Sequence, residues 1–139
     1  MSSVTNVPIY DTISEQAFLW IINQVRMSTL FISNESLHKM IELKKRGHLP
    51  RLKNLVCFDT INPELKLKTE LKLISFKEII ELGKNETDIV LKECEPGDFM
   101  TICYTGGTTG NPKGAIITHG NMKEITLSIA NSGLLGKHD

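Results

Sequence analysis

The stretch Tyr104–Gly114, YTGGTTGNPKG, constrains this chain more than any other. It follows an apolar run, Phe99–Tyr104, and precedes another, Ala115–Thr118. Gly106, Gly107 and Gly110 permit backbone angles and close approaches that a Cβ forbids. Successive N–H groups in such a loop can turn inward as a nest for an anion. Thr105, Thr108 and Thr109 add hydroxyl donors, and Lys113 adds a positive charge suited to a polyphosphate. Pro112 and Gly114 fix how the loop leaves toward the next strand. The spacing is not G-x-x-x-x-G-K-[ST], because Asn111 follows Gly110 and Gly114 follows Lys113. Nor is it the G-x-G-x-x-G of dinucleotide folds. The plainer alternative is a loose hairpin turn between Tyr104 and Ala115. Eleven positions of this composition behind a buried strand disfavour it.

Upstream, the pattern alternates. Val7–Tyr10 reads as a strand, with Pro8 suiting a start or an edge. Thr12 and Glu15 form a capping box opening a helix over Ser14–Arg26. Its apolar residues, Phe18 and Trp20 among them, cover most faces and predict burial on several sides. Thr29–Ser33 reads as a short strand. Asn34 caps a second helix, Glu35–Arg46, with an apolar stripe of Leu37, Met40, Ile41 and Leu43. Gly47 stands where a left-handed residue ends a helix, and Pro50 follows. Leu55–Phe58 is the next strand. Strand, helix, strand, helix, strand implies a parallel sheet with right-handed crossovers. Ile61–Lys72 reads as a surface excursion, Leu73–Phe76 as a strand and Phe76–Leu82 as a short helix; Asn85–Cys94 has no clear pattern. Glu95–Asp98 is a turn by its chemistry, and a helix over Asn121–Ala130 follows the loop. No internal repeat or low-complexity tract is present.

Composition narrows the class. The chain has 139 residues, 40% hydrophobic and 23% charged, enough for one modest packed α/β domain. Lys+Arg and Asp+Glu balance at 16 each, so no overall basic footprint for nucleic acid exists. The local basic cluster from Lys44 to Lys53 reads as a solvated helix end that complements the helix dipole. Cys57, Cys94 and Cys103 lack zinc-ligand spacing. Cys57 and Cys103 read as buried thiols, a usage that fits a reducing compartment. Asn34-Glu35-Ser36 and Asn85-Glu86-Thr87 match the glycosylation pattern by chance, because the first residues do not resemble a secretory signal. The longest apolar run, Ala17–Ile22, is too short to cross a bilayer.

YTGGTTGNPKG followed by AIITHGN resembles the AMP-binding signature of the adenylate-forming superfamily, YTSGTTGxPKG…TH. Asn111-Pro112 with THGN close behind, and Val7-Pro8-Ile9-Tyr10-Asp11-Thr12 upstream, resemble the long-chain fatty acyl-CoA synthetase branch. The resemblance runs from Val7 to about Asn121, with Lys66–Asp98 too variable to align. It implies an α/β fold: part of a doubly wound, mainly parallel sheet flanked by helices, from the large N-terminal domain of such an enzyme. It implies a fatty acid:CoA ligase that makes an acyl-adenylate and pyrophosphate from ATP, then a thioester with coenzyme A. Thr105, Gly106, Gly107, Thr108, Thr109, Gly110 and Lys113 would contact the ATP phosphates. Gly106 replaces the family's usual Ser, which removes one hydroxyl but keeps the backbone N–H. No catalytic residue or metal ligand is assigned within the chain. His119 reads as fixing a helix start or shaping the nucleotide pocket rather than as a base. Tyr104 reads as a strand aromatic rather than a nucleotide stack.

The resemblance also implies a division of labour. The family's adenine- and magnesium-binding YGxTE-like segment, its hinge and its catalytic lysine follow this loop and are not among the 139 residues. The Mg2+ ligand is therefore expected outside the chain. Residues 1–139 are expected to form an incomplete AMP-binding domain, inactive alone, with open edges and a tendency to aggregate. The partners implied are small molecules: ATP, a fatty acid and CoA. Membrane association is expected only through parts outside the chain, and the location is intracellular, cytoplasmic or on the cytosolic face of the endoplasmic reticulum or another organelle. Two other readings stand beside this one: a non-catalytic ATP- or phosphate-binding remnant, and another adenylate-forming ligase.

Overall fold

The computed structural model describes residues 4–86, 90, 93–106 and 110–132. It divides into two compact units: a central one, Ser14–Ile89, and a split one built from Met1–Ile13 together with Val90–Asp139.

The central unit is a three-stranded, wholly parallel sheet in the order β1 (Thr29–Ile32), β2 (Asn54–Cys57), β3 (Lys72–Ser75). Parallel neighbours need crossovers. The first is helix α2 (Asn34–Lys45); the second carries the four-residue α3 (Pro63–Lys66). Leu55, Val56 and Cys57 on the middle strand are all sealed from solvent, as a strand covered on both faces must be. Leu30, Leu55 and Leu73 stand side by side in ladder register, and all three are buried. The α2 stripe foreseen from periodicity, Leu37, Met40, Ile41 and Leu43, is buried as a set.

Helix ends explain where these elements stop. Helix α1 (Glu15–Gln24) is capped by the Ser14 hydroxyl, which accepts from the Ala17 N–H; the expected Thr12–Glu15 box does not form. Two candidate caps lie within three residues, and Ser14, extended and directly before the first helical residue, is the one used. At the other end, the Met27 N–H reaches the Ile22 carbonyl and Arg26 sits at φ 54, a left-handed position held by a non-glycine. Helix α2 ends the same way, with Gly47 at φ 79 and the His48 N–H on the Leu43 carbonyl. Its start differs from expectation. Ser33 is the N-cap residue, and the Asn34 N–H donates to the Asp59 carboxylate, 2.8 Å away, from the segment after β2. Lys44, in the basic cluster read as solvated, folds back to donate to the Leu49 and Pro50 carbonyls. Helix α4 (Phe76–Lys84) opens with a full capping box between Ser75 and Glu78.

Three burial expectations are corrected. Only Ile21 and Ile22 of α1 are fully buried; Trp20 is exposed and Phe18 half-buried, so the helix shows one packed face. Ile61–Lys72 is more than a surface excursion, because Ile61 and Leu71 anchor it in the core. Cys57 is buried, but Cys103 is only half so.

In the split unit, β4 (Phe99–Thr105) pairs antiparallel with β5 (Lys113–Thr118), and α5 (His119–Asn131) follows directly. The expected Val7–Tyr10 strand does not form. Instead Asn6 makes a single parallel bridge to Thr101 on β4. The Asn6 N–H donates to Met100, the Ile102 N–H donates to Asn6, and the Thr101 hydroxyl donates to the Asn6 side chain at 2.6 Å. Pro8, without an N–H, does not extend the ladder. Half of the unpatterned segment Asn85–Cys94, residues 87–89, 91 and 92, lies outside the described residues. No helix among the described residues is long and apolar enough to cross a membrane.

Candidate functional site

The loop closes the β4–β5 hairpin. Its last paired positions are Thr105 and Lys113, directly opposite each other, and one step below them Tyr104 opposes Gly114. Directly opposed residues in an antiparallel pair project to the same face, and the next pair projects to the other. Thr105 and Lys113 therefore place a hydroxyl and an ammonium together on one face at the loop mouth. The Thr105 hydroxyl also donates to the Lys113 carbonyl at 3.5 Å, tying the two stems. Both residues are exposed.

Within the loop, a Cβ built on Gly106 meets nothing within 4 Å. Gly110 sits at φ 126, which a residue with a Cβ rarely adopts, so its glycine is a backbone requirement. Gly107, Thr108 and Thr109 lie outside the described residues. Of the seven residues singled out from sequence, four are thus described: Thr105 and Lys113 as the stems, Gly106 and Gly110 as open backbone between them. The opposite face carries Tyr104 and Ile102, with Ile116 exposed beside them. Tyr104 is half-buried, and that burial pushes its phenol pKa up.

His119 is the first residue of α5, as the helix-start reading expects. Its backbone N–H donates to the Asp98 carbonyl at 3.0 Å, and its Nε2 is buried with no hydrogen-bond partner among the described residues. The Glu95–Asp98 turn does more than its chemistry announced. The Pro96 carbonyl accepts from the Gly120 N–H at 2.8 Å, and a Cβ at position 120 would stand 2.9 Å from that oxygen. The turn therefore grips the start of α5 through backbone groups alone. The glycine of the THGN run was the available signal for that close approach. Thr118 and Asn121 complete the cap reciprocally.

The central unit has its own open cleft of about 1020 Å³ where the carboxyl ends of its strands meet the starts of α2 and α4. Those helix starts are already occupied by the chain's own carboxylates, Asp59 and Glu78. The Ser75 backbone N–H, then Lys66 and the Ser75 hydroxyl, hold the Glu78 carboxyl down at about 2, well below its ordinary 4.5. An external anion would have to displace them. No group of three or more His, Cys, Asp or Glu able to hold a metal occurs among the described residues.

The AMP-binding enzyme family model matches residues 1–138. Among curated proteins, the chain is 37% identical over 124 residues to long-chain-fatty-acid–CoA ligase 1 of Cavia porcellus, covering 86% of this chain and 18% of that protein. It is 31% identical to the peroxisomal long chain acyl-CoA synthetase 7 of Arabidopsis thaliana, with 86% and 17% covered. The chain thus spans under a fifth of the length of these relatives. Among solved structures, an anthranilate CoA ligase in complex with anthranoyl-AMP matches with a TM-score of 0.69 at 25% identity, over 90% of this chain and 22% of that one. The A-PCP didomain of carboxylic acid reductase from Segniliparus rugosus, in complex with AMP, matches with a TM-score of 0.70 at 19% identity, over 87% and 19%; at that identity it speaks to the fold alone. A glycine-rich hairpin loop flanked by threonine and lysine, a parallel sheet with helices and this match along nearly the whole chain agree: the protein belongs to the AMP-binding enzyme family.

Proposed function

We propose that this chain supplies the ATP phosphate-holding loop of a long-chain fatty acid:CoA ligase. The carrying observation is the hairpin mouth, where Thr105 and Lys113 face one another beside the open backbone of Gly106 and Gly110. Lys113 would set a charge against the β- and γ-phosphates, and the threonine hydroxyls and glycine N–H groups would donate to their oxygens. Charge that builds up as pyrophosphate departs would be met by donors already in place. The names of the relatives support a long-chain fatty acid as the carboxylate and CoA as the acceptor. The adenine, Mg2+ and thioester-forming groups are proposed to come from sequence outside these 139 residues. On this reading the isolated chain binds ATP and does not turn it over.

Titration of labelled chain with ATP tests this. The amide resonances of Gly106 and Gly110 are expected to shift, and Lys113→Ala to weaken binding roughly tenfold, the scale of one charge-assisted hydrogen bond. Unmoved loop amides at millimolar ATP, or equal binding by the Lys113→Ala variant, overturn the reading. Pyrophosphate release from ATP plus palmitate by the chain alone would overturn the division of labour.

A further inference from the structure

The sequence motif ends in Gly114, yet nothing in phosphate chemistry asks for a glycine there, since Lys113 has already supplied the charge. The structure shows what does. A Cβ on Gly114 would stand 2.8 Å from Ile102 Cγ2, and 3.1 and 3.3 Å from Cζ and Cε2 of the Tyr104 ring. Contacts under 3.0 Å force something to move, and those near 3.1 Å are tighter than side chains normally accept. Tyr104 and Gly114 are register partners, so the ring leans across the opposing strand and covers the space a side chain would fill. Ile102 and Tyr104 are two residues apart on β4 and therefore share that face. An aromatic ring laid over a cross-strand glycine compensates for its missing side chain and pins the register.

We propose that Tyr104 and Gly114 form a lock that positions the phosphate loop, rather than contacting ATP. The lock sits one register step below Thr105 and Lys113, on the opposite face of the hairpin. It fixes the separation and twist of the two stems from which the loop springs, leaving the ligand face free. Displacing the ring would shift both stems and misplace the Lys113 ammonium without touching any ligand-binding atom. This inference rests on the reading that the loop holds ATP phosphates.

Nuclear magnetic resonance of the full 139-residue chain separates the two claims. In the wild type, the Tyr104 ring is expected to move the Gly114 Hα resonances upfield, and Tyr104→Leu to abolish that shift. ATP affinity, read from the Gly106 and Gly110 amides, is expected to fall roughly tenfold in Gly114→Ala and to stay within twofold in Tyr104→Phe, which keeps the ring. Gly114→Ala combined with Tyr104→Ala should bind no worse than Tyr104→Ala alone, the non-additivity of a direct contact. Where Gly114→Ala fails to fold, the Gly114 Hα shift and the Phe and Leu variants at Tyr104 decide the matter. Unshifted Gly114 Hα resonances, or unchanged ATP affinity in Gly114→Ala or Tyr104→Leu with wild-type binding intact, overturn the lock. Absence of ATP binding by the wild type instead overturns the functional reading, and the lock's role falls with it.

Discussion

Replacing Leu55 by alanine is expected to cost the central unit about 3.5 kcal/mol. Leu55 is fully buried in the middle strand, and its ladder neighbours Leu30 and Leu73 are buried beside it. The truncation removes roughly three methylene equivalents at about 0.8 kcal/mol each, or about 2.4 kcal/mol of transfer free energy. The void adds about 1 kcal/mol more, because strands hydrogen-bonded on both sides cannot close over it. Urea unfolding followed by Trp20 fluorescence is the assay. Trp20 is the chain's single tryptophan and lies on α1 inside the same unit, so the signal reports that unit. With a denaturant slope of about 1 kcal/mol per molar for a unit this small, the midpoint should fall by about 3.5 M, or the variant should already be unfolded without urea. Leu67→Ala is the matched control: Leu67 is 89% exposed, so the change should fall within about 0.5 kcal/mol. A loss below about 1 kcal/mol for Leu55→Ala, or equal losses for the two variants, would refute the placement of the core.

The two left-handed helix ends make opposite predictions by the same assay. Arg26→Gly should raise stability by about 0.5–1 kcal/mol and Gly47→Ala should lower it by about 1 kcal/mol, since Gly47 has no atom within 4 Å to clash with and only its backbone matters; changes of equal sign would sink the argument. Glu78 has a folded pKa depressed to about 2, so its stabilising share is present above 4.5 and is lost as pH falls from there toward 2. Its side chain is half exposed, so the loss should stay below about 1 kcal/mol, shrink in high salt and be absent in Glu78→Gln. Gly106→Ser meets open space and should leave folding unchanged while tightening ATP binding a few-fold by returning a hydroxyl to the loop; a drop in the split unit's thermal midpoint would show that the site is less open than described.

The parallel sheet was readable because its cues are local. Short apolar runs separated by an amphipathic helix and a glycine stop define β1, α2 and β2 within one or two residues. The errors fall where a distant residue decides. Asn34 looks like a cap by composition, but its N–H is met by Asp59, 25 residues on. Val7–Tyr10 has strand chemistry, yet the bridge to β4 is made by Asn6, just before it. Trp20 looks like core because apolar residues crowd α1, but a helix packing on one side leaves other faces open. At the site, the loop, its charge and its glycines stand in the sequence itself, and the anion-binding proposal rests on them. The face-to-face placement of Thr105 and Lys113 was not legible there, because register is a property of two strands and appears in neither alone.

The Thr5–Asn6 contacts with β4 bear on how the chain comes together in time. They join residues 94 and 95 positions apart, whereas the side chains of Thr29 and Asn54, paired on β1 and β2, are 25 apart. Closing the longer loop from a flexible chain costs about 1.2 kcal/mol more by the logarithmic rule. On a ribosome the disparity is sharper, since the first segment must wait for β4 to be synthesised. The central unit, in sequence terms, is an insertion that can condense while Thr5 and Asn6 still await β4. The β4–β5 hairpin then gains the Thr5 and Asn6 contacts only once β4 has emerged.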